Sequence, residues 1–222
     1  MTEPLPDIAP SAYSAREEFA SSIIQGIGIL LSLAGLVVLA TRPGARGDAR
    51  HFASIAIYGT TLVLLYTAST LYHGVTVERV KPLLRQLDHS AIFLLIAGTY
   101  TPFTLITLDG PWGWSLFATV WTLALIGMGL VIGRFEKHGV VVALYLALGW
   151  IGLIAIGPLM QRLPPAALAL VFGGGVCFTL GVPFYLWKRL PFNHALWHVF
   201  VMAGCILQFF AVLLYVVPSV AG

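Results

Sequence analysis

Seven runs of mainly apolar residues divide this chain almost end to end, at 19–41, 52–76, 84–108, 112–133, 139–160, 166–187 and 194–217. Each has the ~20 residues that a helix needs to cross a bilayer. In lipid every backbone N–H and C=O must be satisfied within the protein, so runs of this length are read as helices. Composition agrees: 59% of residues are hydrophobic and 9% charged, where soluble domains carry about 25% charged residues. Too few polar side chains exist to wet a surface, so most of the surface must face lipid. The expected fold is an all-α integral membrane protein, a seven-transmembrane-helix bundle.

Residues 1–18 are expected to form a short polar segment, 19–217 a single transmembrane domain and 218–222 a tail on the opposite side. The first nineteen residues lack the basic start and short apolar core of a secretory signal. Cys177 and Cys205 fall within apolar runs and read as small buried hydrophobes. Pro102, Pro158 and Pro183 lie inside spans and predict kinks, since neighbouring helices can satisfy the freed carbonyls. Gly173–Gly175 predict close helix approach in the sixth span.

Basic residues orient the bundle. One side collects Arg16, Arg79, Lys81, Arg85, Arg134, Lys137, Lys188 and Arg189. The other holds Arg42, Arg46, Arg50 and Arg162. The excess predicts a cytoplasmic N-terminus and an external C-terminus. The net charge of +3 reports this topology, and no nucleic-acid partner is expected.

Placed on that frame, five polar side chains converge. Ser69 and His73 are four apart near the cytoplasmic end of the second span, so they share a face. Asp88 lies roughly 9 Å into the third span, and His194 and His198 some 4–10 Å into the seventh. A lone histidine near a helix end is usually interfacial, which is the reading given to His51 and His138. His89 points about 100° away from Asp88 and reads as a packing or hydrogen-bonding residue. An ionisable residue within a span is a functional hypothesis by default, and four coincide here.

Three neutral imidazoles make a familiar catalytic zinc shell that leaves a fourth position for water. Asp88 is the expected counter-charge and proton acceptor for that water. Ser69 is expected to hydrogen-bond the water or a substrate oxygen. Spacing alone excludes neither a structural zinc nor another metal.

These residues carry a resemblance. "EEFASSIIQGIG" at 17–28, "STLYHG" at 69–74, "LDHSAIFLLIAGTYTP" at 87–102, "YLALGW" at 145–150 and "FYLWKRLPFNHALWHVFVMAGC" at 184–205 resemble the bacterial hemolysin III family. That family is a branch of the wider group of progestin and adipoQ receptors and, more distantly, alkaline ceramidases. The resemblance implies a seven-helix bundle whose zinc is held by His73, His194 and His198, with Asp88 and Ser69 about its water. Where family members tend to have Asn, His and His, this chain has Ser21, Gln25 and Gln208. No ionisable group remains there, so no proton path or accessory metal site carries over to these positions. Glu17 and Glu18 read either as facing the metal layer or as first-turn acids favoured by the helix dipole.

Three functions follow as expectations. The first is a zinc-dependent hydrolase of lipid amides or esters, with a membrane lipid as substrate. The second is a membrane-permeabilising cytolysin, and the third a receptor or sensor braced by a structural zinc. Uniformly apolar spans and short cytoplasmic loops favour the first.

Overall fold

The computed structural model describes residues 13–42, 48–133 and 138–217. The expected tail at 218–222, most of the N-terminal segment, Arg46, Arg134 and Lys137 lie outside the described residues, as does the side chain of His138. Among the described residues there are no strands. Seven helices are long and apolar enough to span a membrane: α1 (Ala15–Thr41), α2 (Ala49–Gly74), α3 (Lys81–Leu108), α4 (Gly110–Ile132), α5 (Gly139–Arg162), α6 (Pro165–Leu186) and α7 (Asn193–Val216). The seven expected spans are all present with edges shifted by a few residues, and at α1 a capped polar first turn extends the helix beyond the apolar run. Ser14 caps α1 in this way, its hydroxyl accepting from the Glu17 N–H.

Apolar side chains cover the outside. Phe19, Leu30, Val37, Leu125, Ile154 and Met160 are all more than half exposed. A band of that kind would be a liability in water and is what a helix bundle offers to lipid. Inside, α3 is the central element, with 61% of its apolar window buried against 22% for α5 and α6.

α1 packs on α2, α2 on α3 and α6 on α7, while α1 also meets α7. This brings the starts of α1, α3 and α7 and the end of α2 to one end of the bundle. Close approach of α6 and α7 depends on Gly174, where a Cβ would stand 2.7 Å from Gln208 Cγ and 3.0 Å from the Gly204 carbonyl. The glycine run thus packs as expected.

Pro102 and Pro158 lie beside irregular geometry that does not end their spans, whereas Pro183 sits inside α6 with the helix unbroken to Leu186. After Pro102, α3 continues as a π-helix over Phe103–Leu108. Hydroxyls occupy the local carbonyls, Thr101 donating to Ala97 and Thr104 to Tyr100. α5 passes through a 3-10 stretch, Ile151–Ala155, before Pro158. The Tyr100 hydroxyl is seated at that break, donating to the Gly149 carbonyl and accepting from the Gly152 N–H. Both cysteines are free; Cys205 is buried, whereas Cys177 is only half-buried.

Candidate metal centre

The α1 sequence sets one wall of the site. Its buried positions include Glu17, Glu18, Ser21, Gln25, Gly28, Ser32 and Gly35, a stripe of polar and small residues at helical spacing on an otherwise apolar helix. Such a stripe turns inward in a bilayer. α2 presents Ser69 and His73 to it, both buried. The start of α7 is fixed by Asn193, whose amide donates to the Phe184 and Tyr185 carbonyls at the end of α6. Phe192 before it takes a left-handed turn at φ 56°. Glu17 then accepts the otherwise free N–H of His194 at 3.0 Å, so α1 caps α7.

Three imidazoles meet within this frame. Nε2 of His73 lies 3.2 Å from Nε2 of His194 and 3.1 Å from Nε2 of His198. All three rings are buried, and their ligand atoms lie within 4.8 Å of one another, so together they are able to hold a metal ion. The histidines expected to converge do so. Two of the three are also braced from behind. The His73 Nδ1–H donates to Glu18 Oε2 at 2.6 Å, which leaves the Nε2 lone pair aimed at the cluster. Gln25 Nε2 stands 2.9 Å from His198 Nδ1 and donates to Ser69 Oγ at 2.7 Å. His194 is stacked on Tyr13, ring centroids 4.4 Å apart, and its Nδ1 has no partner among the described residues.

Charge about the cluster is distributed differently from the sequence expectation. The carboxylate in contact with a candidate ligand is that of Glu18, with Lys81 3.6 Å from its other oxygen. Glu17 and Glu18 are therefore both first-turn acids and inward-facing groups, and the two readings of them were never exclusive. Asp88 is buried and lines the same cavity as His194 and His198, but it is not one of the three clustered ligand groups. Its Oδ2 stands 3.8 Å from His89 Nδ1. His89 donates from Nδ1 to the Arg85 carbonyl, the hydrogen-bonding role expected of it. His51 pairs with Asp48 at the far end of the bundle. The Ser69 hydroxyl is engaged with Gln25, a partner that sequence reasoning missed. The inward stripe on α1 was the signal that could have found it.

At the entrance to this layer, Lys188 lies over the Tyr13 and Tyr185 rings and donates to the Tyr13 hydroxyl. Partial burial lowers the pKa of its ammonium below the ordinary lysine value.

An apolar cavity leads away from the histidines. Its wall on α3 runs from Asp88 through Ile92, Leu95 and Thr99 to Thr104. By helical rise that is roughly 24 Å, more than the ~15 Å of one leaflet's hydrocarbon. Tyr145 and Leu153 of α5, Phe178 of α6 and Val201 of α7 face it from the other sides.

A family model described as "Haemolysin-III related" matches residues 13–209. The chain belongs to this family. It is 44% identical over 207 residues to "Hemolysin-3" of Bacillus cereus, covering 92% of this chain and 94% of that one. The "Hemolysin-3 homolog" of Bacillus subtilis (strain 168) is also 44% identical, with 92% and 97% covered. A more distant match, 28% over 170 residues, is the human "Monocyte to macrophage differentiation factor", with 73% and 70% covered. That match supports the wider superfamily expected from the motifs. This hemolysin III family member is a multi-pass membrane protein with a buried, metal-capable histidine triad.

Proposed function

We propose that this hemolysin III family member is a zinc-dependent hydrolase that cleaves an amide or ester bond of a lipid in the bacterial plasma membrane. One observation carries the reading: three buried histidines converge, and two of them, His194 and His198, line an apolar cavity whose α3 wall is longer than one leaflet. The basic-residue asymmetry favours a cytoplasmic location for the histidine end of that cavity.

The donor set suits zinc. Nitrogens about a tetrahedral zinc at roughly 2.0–2.1 Å stand about 3.3 Å apart. The observed 3.1 and 3.2 Å separations are close to that. No thiolate is present in the cluster, and the three imidazoles leave a position open. Zinc bound there would supply a Lewis acid and bring the pKa of a water toward 7. The chain's own groups do the remaining work. Glu18 and Gln25 hold His73 and His198 in orientation, and Glu17 fixes the start of α7. Asp88, the buried carboxylate of the cavity wall, accepts a proton from the attacking water and returns it to the leaving amine or alcohol. The cavity takes the acyl chain and keeps bulk water from it.

The hydrolase is tested by incubating zinc-loaded, detergent-solubilised protein with ceramides and with other acyl-amide and acyl-ester lipids. Fatty acid release read by mass spectrometry, absent from His73→Ala, is the expected result. No release from any of these lipids would overturn the reading. The relatives' name, hemolysin, favours membrane lysis as a second reading. Against it, this chain's spans are too apolar for a soluble form that inserts later, and lysis is then an indirect effect of overproduction.

A further inference from the structure

Gln25 is 2% exposed and has one amide end in use and one idle. Its Nε2 touches both Ser69 Oγ and His198 Nδ1, while its Oε1 is buried without a hydrogen bond among the described residues. A buried amide oxygen left unpaired is costly, and such a group calls for a reason.

The reason lies in what His198 must do. In the arrangement seen, the amide N–H donates to Nδ1, so the ring proton sits on Nε2, the atom that faces His73 and His194. A ring in that state cannot offer Nε2 to a metal. Ligation through Nε2 requires the proton on Nδ1, and Nδ1–H then requires an acceptor. A half-turn of the Gln25 amide supplies one, because it places Oε1 where Nε2 was with the remaining heavy atoms unmoved.

We propose that Gln25 is a positioning residue that orients His198 by an amide flip. Its amide nitrogen faces His198 and Ser69 in the arrangement described, and with a metal on His198 Nε2 its oxygen accepts from both. The proposal rests on the metal reading of the triad. Neither sense pairs both ends of the amide, so the metal decides between them. Ser69 is drawn in as well. Its single proton goes to Gln25 Oε1 in the metal-bound state, which leaves its oxygen able only to accept. Ser69 then receives a hydrogen bond from a water or a substrate N–H and gives none to a substrate carbonyl. A side chain that only donates or only accepts cannot serve both states, whereas an amide can.

The experiment measures Zn2+ affinity by competition with a chelating dye, at one neutral pH, for wild type, Gln25→Met and Gln25→Glu. Thermal unfolding of the metal-free proteins is followed alongside. Gln25→Met, of similar length and without an amide, is expected to bind about 10–100-fold more weakly, the usual cost of losing a group behind a ligand. Gln25→Glu, which only accepts, is expected to match wild type or bind more tightly. Equal affinity for wild type and Gln25→Met would overturn the proposal. So would a Gln25→Glu protein as weak as Gln25→Met, since the residue would then act by packing.

A second readout needs no variant. In 15N-labelled wild type the Gln25 side-chain amide protons should move toward the unbonded position when zinc is added, as the amide turns. A signal that stays in the bonded range on loading would overturn the flip. Wild type that binds no zinc would instead overturn the metal reading beneath it.

Discussion

At the scale of single residues, Asp88 separates a catalytic centre from a brace. Were the ion structural, Asp88 would balance its charge, and Asp88→Asn would loosen zinc and lower thermal stability together. The catalytic account predicts otherwise, because the contacts to the ligands are already made by Glu17, Glu18 and Gln25. Asp88→Asn should keep most of its zinc and lose hydrolysis by about 10²–10⁴-fold, the range for removing a general base. Metal analysis and fatty acid release on the same preparation decide it, and equal activity with zinc intact in both proteins would remove Asp88 from the mechanism. Much of this site was legible in the sequence. His194 and His198 share a face by spacing, and His73 and Asp88 reach the same depth by counting residues from the membrane edge. The groups behind the ligands were not legible. Depth follows from residue number, but which group touches which ring depends on how α1 is rotated against α2 and α7. That rotation is set by packing, for example by Tyr66, into which a Cβ on Gly28 would run.

At the scale of elements, the fold rests on close helix approach, because lipid gives no hydrophobic force pressing helices together. The tightest test is α6 against α7 at Gly174. Gln208 is flexible and can yield, but the Gly204 carbonyl is backbone and cannot. Gly174→Val should therefore force the pair apart and destabilise the protein by about 1–3 kcal/mol, as overpacking does. The check is a lowered melting temperature in detergent, with Gly173→Val, whose Cβ would meet only Leu207 at 3.5 Å, as the milder control. Equal melting of the two variants would contradict this account of the contact. The seven spans could be read from hydropathy because a bilayer allows little else. The 3-10 break in α5 could not be placed from Pro158 alone. It spans Ile151–Ala155 and is seated on the Tyr100 hydroxyl of another helix.

At the scale of the whole molecule, an odd number of spans puts the two ends of the chain on opposite sides, and the excess of basic residues predicts that the start of α1 lies in the cytoplasm. Reporter tags at residues 1 and 222 should report cytoplasmic and external locations respectively. Tags on one side would require an even number of spans, and the start of α7 could then no longer meet the end of α2. Topology and site stand together in this way, but the most direct measurement is metal content. Purified protein should hold about one zinc per chain. His73→Ala, His194→Ala and His198→Ala should each lose most of it, while His51→Ala, at the opposite end of the bundle beside Asp48, should keep it. Wild type free of metal after purification in zinc-replete buffer, or alanine variants that hold as much zinc as wild type, would contradict the account.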